Sequence, residues 1–141
     1  WGPDYKITGP LRMKYAIVPH RGKWDKAAIA TKSDCWNEPL LCSYHPSVKL
    51  ESRSLVNLKN SGYQVSAANM KDGKIILRLF NAEGDKKQHN ITFDIPLSSI
   101  EEVDLNGRII DRKTIKTRAG KSEISISIPR FGIKTFALNL N

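Results

Sequence analysis

The sequence predicts an all-β fold, an antiparallel β-sandwich with one short helix near the N-terminal third. Three observations carry that prediction. Ile124, Ile126 and Ile128 alternate with Glu123, Ser125 and Ser127, the period-two pattern of a half-buried strand. Asp72-Gly73 and Asn106-Gly107 each stand between apolar runs, and such dipeptides favour tight hairpins because they tolerate positive φ. Short apolar runs also recur at near-regular spacing with turn residues between them, as in sandwiches.

In chain order, residues 1–13, with Gly2, Pro3, Gly9 and Pro10, read as a linker, and residues 14–141 as one β-sandwich domain. Met13 to Val18 reads as a first strand that Pro19 halts. The spacing of Trp24, Ala27, Ala28 and Thr31 or Cys35 suits the short helix and predicts that Trp24 and Trp36 are buried. Asn37-Glu38-Pro39 ends it, because a residue before proline avoids the helical region. His45-Pro46 belongs to a loop, and Asn60-Ser61-Gly62 to a turn. Val65 to Asn69 leads through Asp72-Gly73 into Ile75–Phe80 as a hairpin. Asn81 to Asp85 predicts a second hairpin, into Gln88–Ile95, with His89, Ile91, Phe93 and Ile95 on one face. Pro96 ends that strand, Val103 to Ile110 holds the Asn-Gly turn, and Ile133 to Leu138 is the last strand.

A chain of 141 residues buries roughly 68% of its unfolded surface and holds a core without staples. Its 40% hydrophobic and 26% charged residues are ordinary for a soluble globular protein. No apolar run approaches the ~20 residues of a membrane helix, and no basic-then-apolar leader opens the chain. The first residue is Trp1 rather than Met, so a fragment or processed product is expected.

The net charge of +9 raises the question of nucleic acid, and the densest basic stretch runs from Arg108 to Lys121. Single-strand binders interleave such charges with stacking aromatics, and this stretch has none. It reads as a solvated strand or loop face; a positive face also suits an acidic partner domain. Cys35 and Cys42 match no zinc spacing. They read as two ordinary, partly buried thiols, with a single bridge as the alternative.

No catalytic, cofactor-binding or metal-binding set emerges. Asp72, Glu83, Asp85 and Asp104 fall in or beside turns, where carboxylates serve backbone and solvent. Glu101 and Glu102 are adjacent, so a strand points them to opposite faces. His20, His45 and His89 have no metal-pair spacing. Ser98, Ser99 and Ser122 lack the glycine-flanked elbow of a nucleophile. Asn90-Ile91-Thr92 is formally a glycosylation acceptor inside a predicted strand.

Several motifs are more specific in combination. Lys14-Tyr15-Ala16-Ile17-Val18-Pro19-His20 is followed by Gly22 and Trp24, then by Trp36-Asn37-Glu38-Pro39-Leu40. Ile76-Leu77-Arg78-Leu79-Phe80-Asn81, Glu102-Val103-Asp104-Leu105 and Ile133-Lys134-Thr135-Phe136-Ala137-Leu138 come after them. In this order, over nearly the whole chain, they resemble the C-terminal region of family 38 glycoside hydrolases, the α-mannosidases. The resemblance implies a retaining exo-mannosidase whose Asp nucleophile and divalent metal, usually zinc, lie in an upstream α/β catalytic domain of the same polypeptide. This chain then holds no cofactor itself. It packs on that domain and borders its cleft, and mannose-containing glycans are met only through the full-length enzyme. Neither nucleic acid nor a membrane is expected as a partner. Phe80 stands where the family often has Tyr, which removes any role for a phenolic hydroxyl there.

The resemblance makes His20, Asn37 and Arg78 the candidates for cleft-rim or interdomain contacts. Each also has a purely structural reading. His20 can donate across a neighbouring loop, Asn37 can stop the helix by bonding backbone, and Arg78 faces opposite to Leu77 and Leu79 on a solvated face. The alternative function is a stand-alone carbohydrate-binding module, with Trp24, Trp36, Tyr44 or Tyr63 stacking on sugars. Exposure of those rings discriminates between the two.

Overall fold

A computed structural model describes residues 9–38, 54–58, 62–83 and 87–141. The readings placed on Pro39-Leu40, Cys42, Tyr44, His45-Pro46, Asn60-Ser61 and Asp85 lie outside the described residues. Nine strands follow one short helix among the described residues: α1 (Ile29–Asn37), β1 (Val56–Asn57), β2 (Tyr63–Lys71), β3 (Lys74–Asn81), β4 (His89–Phe93), β5 (Leu97–Val103), β6 (Ile109–Lys113), β7 (Lys116–Arg118), β8 (Lys121–Ile126) and β9 (Ile133–Leu140). They form two antiparallel sheets, one of order β1-β4-β8-β7 and one of order β2-β3-β9-β5-β6. The predicted sandwich is therefore the observed fold.

Alternation builds the core between the sheets. Leu77 and Leu79 of β3, Ile100 of β5, and Phe136 and Leu138 of β9 point inward from the larger sheet. Ile91 and Phe93 of β4, Ile124 and Ile126 of β8, and Ile128 beyond it meet them from the smaller sheet. Burying each such side chain contributes about 1.5–3 kcal/mol. The β2–β3 hairpin closes at Asp72 and Gly73, whose φ values of 50° and 74° are both positive, the geometry that a two-residue hairpin turn requires. At the β5–β6 turn, Asp104 Oδ1 accepts the N–H groups of Asn106 and Arg108, both at 2.8 Å.

Five expectations are corrected. Met13–Val18 is not a strand; the segment has no regular structure and is exposed except for half-buried Val18. It has the alternation of a strand, but among the described residues no sheet pairs with it. The predicted helix is a 3₁₀ turn at Trp24–Lys26 followed by α1, which buries no residue. Trp24 and Trp36 are consequently exposed rather than buried, and the Cys35 thiol is exposed rather than partly buried. The predicted second hairpin is a crossover: β3 belongs to the five-stranded sheet, and β4 pairs with β1 and β8 in the other. The sheets themselves are drawn wholly from residues 56–140.

Three buried polar side chains join the layers. Asn81 Nδ2 donates to the Ile128 carbonyl at 3.0 Å, and the Ile128 N–H donates to Tyr63 Oη at 3.1 Å. The Leu97 N–H donates to Ser122 Oγ at 2.9 Å. Each satisfies a backbone group that the sandwich interior hides from water.

Candidate functional site

The carboxylates most open to a catalytic reading are neutralised in place. β5 turns Glu101 to the outer face, opposite Ala137, and Glu102 to the inner face, opposite Phe136, as adjacency on a strand predicts. Glu101 is flanked by Lys74 at 3.5 Å and Arg112 at 3.4 Å. Glu102 is held by Lys113 at 2.8 Å and Lys134 at 3.0 Å. Burial works to raise the Glu102 pKa, but the hydrogen bonds from both lysines outweigh it and hold the carboxyl below its ordinary value. Burial likewise works to lower Lys113, yet its bonds to Asp111 and Glu102 leave it raised. The Glu102 carboxylate, kept ionised between two ammonium groups, is not poised to exchange a proton near neutral pH. Among the described residues no three His, Cys, Asp or Glu side chains gather as a metal site.

The two outer faces of the sandwich differ sharply in chemistry. On the four-stranded sheet, the outward row is Asn57, Thr92, Glu123 and Lys116, with Asn90 beside Ser125. That is the polar composition of a solvated antiparallel face. On the five-stranded sheet, β3 sends Lys74, Ile76, Arg78 and Phe80 outward. Three cross-strand rows result: Phe80 beside Ile133; Arg78 beside Thr135 and Val103; and Ile76 beside Ala137, Glu101 and Arg112. Thr135, Ala137 and Val103 are buried, although they lie on the outer side. Isoleucine, phenylalanine and valine thus share this face with cations.

Arg78 sits at the middle of it. Its Nε donates to Thr135 Oγ1 at 3.2 Å, and no carboxylate pairs with it among the described residues. A shallow depression of about 340 Å³ opens beside it, lined by Leu105, Ile110 and Ile133 together with the charged Glu102, Asp104 and Lys134. A second, of about 290 Å³, lies over Lys74, Ile76, Val103, Ile109 and Ala137. A half-buried guanidinium whose other N–H groups have no partner among the described residues, with Leu105, Ile110 and Ile133 nearby, suits a protein surface that supplies a carboxylate.

The structure does not bring the three candidate residues together. His20 is exposed on the segment before the 3₁₀ turn, with no hydrogen bond among the described residues. Asn37 ends α1, and its Nδ2 donates to the Ser33 carbonyl at 3.0 Å and to Ser33 Oγ at 3.2 Å. That bonding is confined to its own helix. Arg78 alone lies on a sheet face. Tyr63 is only 5% exposed and is not available to stack on a sugar.

Ile76, Phe80 and Ile133 were not among the contact candidates named from sequence, yet β3 carried the signal. Its run Ile75-Ile76-Leu77-Arg78-Leu79-Phe80 is apolar on both parities except at Arg78, which is how a strand covered on both faces reads. Asn81 shares the inward parity of Leu77 and Leu79, which marks it as a core residue.

The glycosyl hydrolases family 38 C-terminal beta sandwich domain matches residues 63–136, from the start of β2 into β9. No curated protein matches the chain. With two sheets, their strands and the matched segment coinciding over more than half its length, the chain belongs to the family 38 glycosyl hydrolase C-terminal beta sandwich domains.

Proposed function

We propose that the chain is the accessory β-domain of a retaining α-mannosidase. It hydrolyses nothing alone and docks through the outer face of its five-stranded sheet on a catalytic domain of the same polypeptide. The carrying observation is the contrast between the faces: one sheet is polar outside, the other apolar and cationic around Arg78. Contiguous exposed apolar surface on a soluble domain marks an interface. The zinc and the Asp nucleophile are assigned to the catalytic domain, and mannose-containing glycans meet this domain only through the assembled enzyme.

Two measurements test the reading. The 141-residue chain, with zinc added, is expected to release no 4-nitrophenol from an aryl α-mannoside, while the longer gene product turns it over. Turnover by the chain alone refutes the assignment. Ile76→Asp places a charge on the docking face. In the chain alone, where Ile76 is half-buried, it costs about 1 kcal/mol, as a typical destabilising substitution does; in the longer polypeptide it costs several times that. Equal effects in both settings refute the docking face.

A stand-alone carbohydrate-binding module is supported by one observation. Trp24 is 43% exposed and Phe131 49%, and their rings stack at 5.9 Å with 10° between planes. That stack uses one face of each ring on the other, and Arg130 lies over Phe131 at 5.0 Å. Quenching of tryptophan fluorescence by mannose oligosaccharides, lost in Trp24→Ala, would favour this second reading.

A further inference from the structure

The segment Leu11–Val18 has strand chemistry and no sheet. Leu11, Met13, Tyr15 and Ile17 are 61%, 75%, 86% and 86% exposed, and they alternate with Arg12, Lys14 and Ala16. On an extended chain this puts four large apolar groups on one side and the cations on the other. The family match begins only at residue 63 and the first paired residue is Val56, so the segment stands outside the sandwich. Nothing within the described sandwich shields it.

We propose that Leu11–Val18 is an add-on strand. Its partner is an open, acidic sheet edge outside this chain, in the same polypeptide. Placing that sheet in the same polypeptide rests on the accessory-domain reading. The charge pattern decides against a second copy. The edges of this chain's sheets are β1, β7, β2 and β6. Their only carboxylate is Asp111 of β6, already bound to Lys113 at 2.6 Å. β7 adds Lys116 and Arg118, and each copy carries a net charge of +9. Arg12 and Lys14 would find no unbound carboxylate on those strands, whereas an edge bearing Asp or Glu gives them cross-strand partners. β-Strand addition supplies the backbone hydrogen bonds that the segment lacks among the described residues.

Hydrogen exchange followed by mass spectrometry tests this on the longer gene product and on the 141-residue chain. Amides of residues 11–18 should exchange at unprotected rates in the chain alone and about a hundredfold more slowly in the longer protein. Met13→Asp with Ile17→Asp should abolish that slowing while the amides of Leu77 and Phe136 stay protected, which shows the sandwich still folded. Rapid exchange at 11–18 in both proteins overturns the proposal. So does protection in the chain alone that grows with its concentration, since that would make a second copy the partner. The accessory-domain reading is scored separately, by mannoside turnover of the longer product.

Discussion

Replacing Tyr63 by Phe removes one oxygen from the middle of the sandwich. Tyr63 Oη accepts the Ile128 N–H at 3.1 Å, and Ile128 is 0% exposed, so no water takes the vacated place. A buried donor left without an acceptor costs about 1–3 kcal/mol. The second bond, from Oη to the Lys87 carbonyl, is long at 3.4 Å and adds little. The ring is retained, with its edge contact to His89 at 5.1 Å, so no cavity term enters. The expected loss is therefore about 2 kcal/mol. With a urea slope of about 2 kcal/mol/M for a domain of this size, the unfolding midpoint should fall by about 1 M at unchanged slope. Tyr63→Leu, which also loses the ring, should fall further. A Tyr63→Phe midpoint within about 0.2 M of the parent would refute the claim that this hydroxyl ties β2 to the end of β8.

Two further outcomes follow from local geometry. Ala119 has a φ of 50° in the β7–β8 turn, where a Cβ costs roughly 1–2 kcal/mol; Ala119→Gly should raise the thermal midpoint by about 2–4 °C, after the extra entropy of glycine is offset. The Glu102 carboxyl is held below its ordinary value of 4.5, so its contribution is present above that pH and is lost as the pH falls through the lower folded value. Glu102→Gln should accordingly be less stable than the parent at pH 7, with the gap between urea midpoints closing in acid; a gap that stays constant down to about pH 2 would refute the role of its lysine partners.

Much of the sandwich was readable because its strands are stated twice, once by alternation and once by turn chemistry. Ile124 to Ile128 and the Asp72-Gly73 hairpin are cases where the two agree. The crossover after β3 escaped because turn residues near Asn81 mark where the chain bends, not which sheet receives the next strand. β3 and β4 both present apolar residues inward, so parity cannot separate a hairpin from a change of layer. The β7–β8 turn escaped for another reason: Ala119 carries none of the side-chain chemistry that announces positive φ. Trp24 and Trp36 were placed inside by a helical stripe, but a stripe buries itself only where a surface is offered, and α1 finds none.

Those misses share a physical cause with the candidate site. Alternation reports that a face is made to be covered; it does not report what covers it. For Leu77 and Phe136 the cover lies within the chain, and sequence and structure agree. Ile76, Phe80 and Ile133 carry the same instruction on the other side of the same strands, as do Met13, Tyr15 and Ile17 in the segment that precedes α1. Ile133, Met13, Tyr15 and Ile17 are exposed and Ile76 and Phe80 half-buried; on the proposed reading, their cover comes from outside the chain. An arginine placed among them, bonded only to Thr135 among the described residues, adds the sign of the charge that surface should carry. On the proposed reading, the domain's function is written in the half of its hydrophobic pattern that its own fold leaves unused.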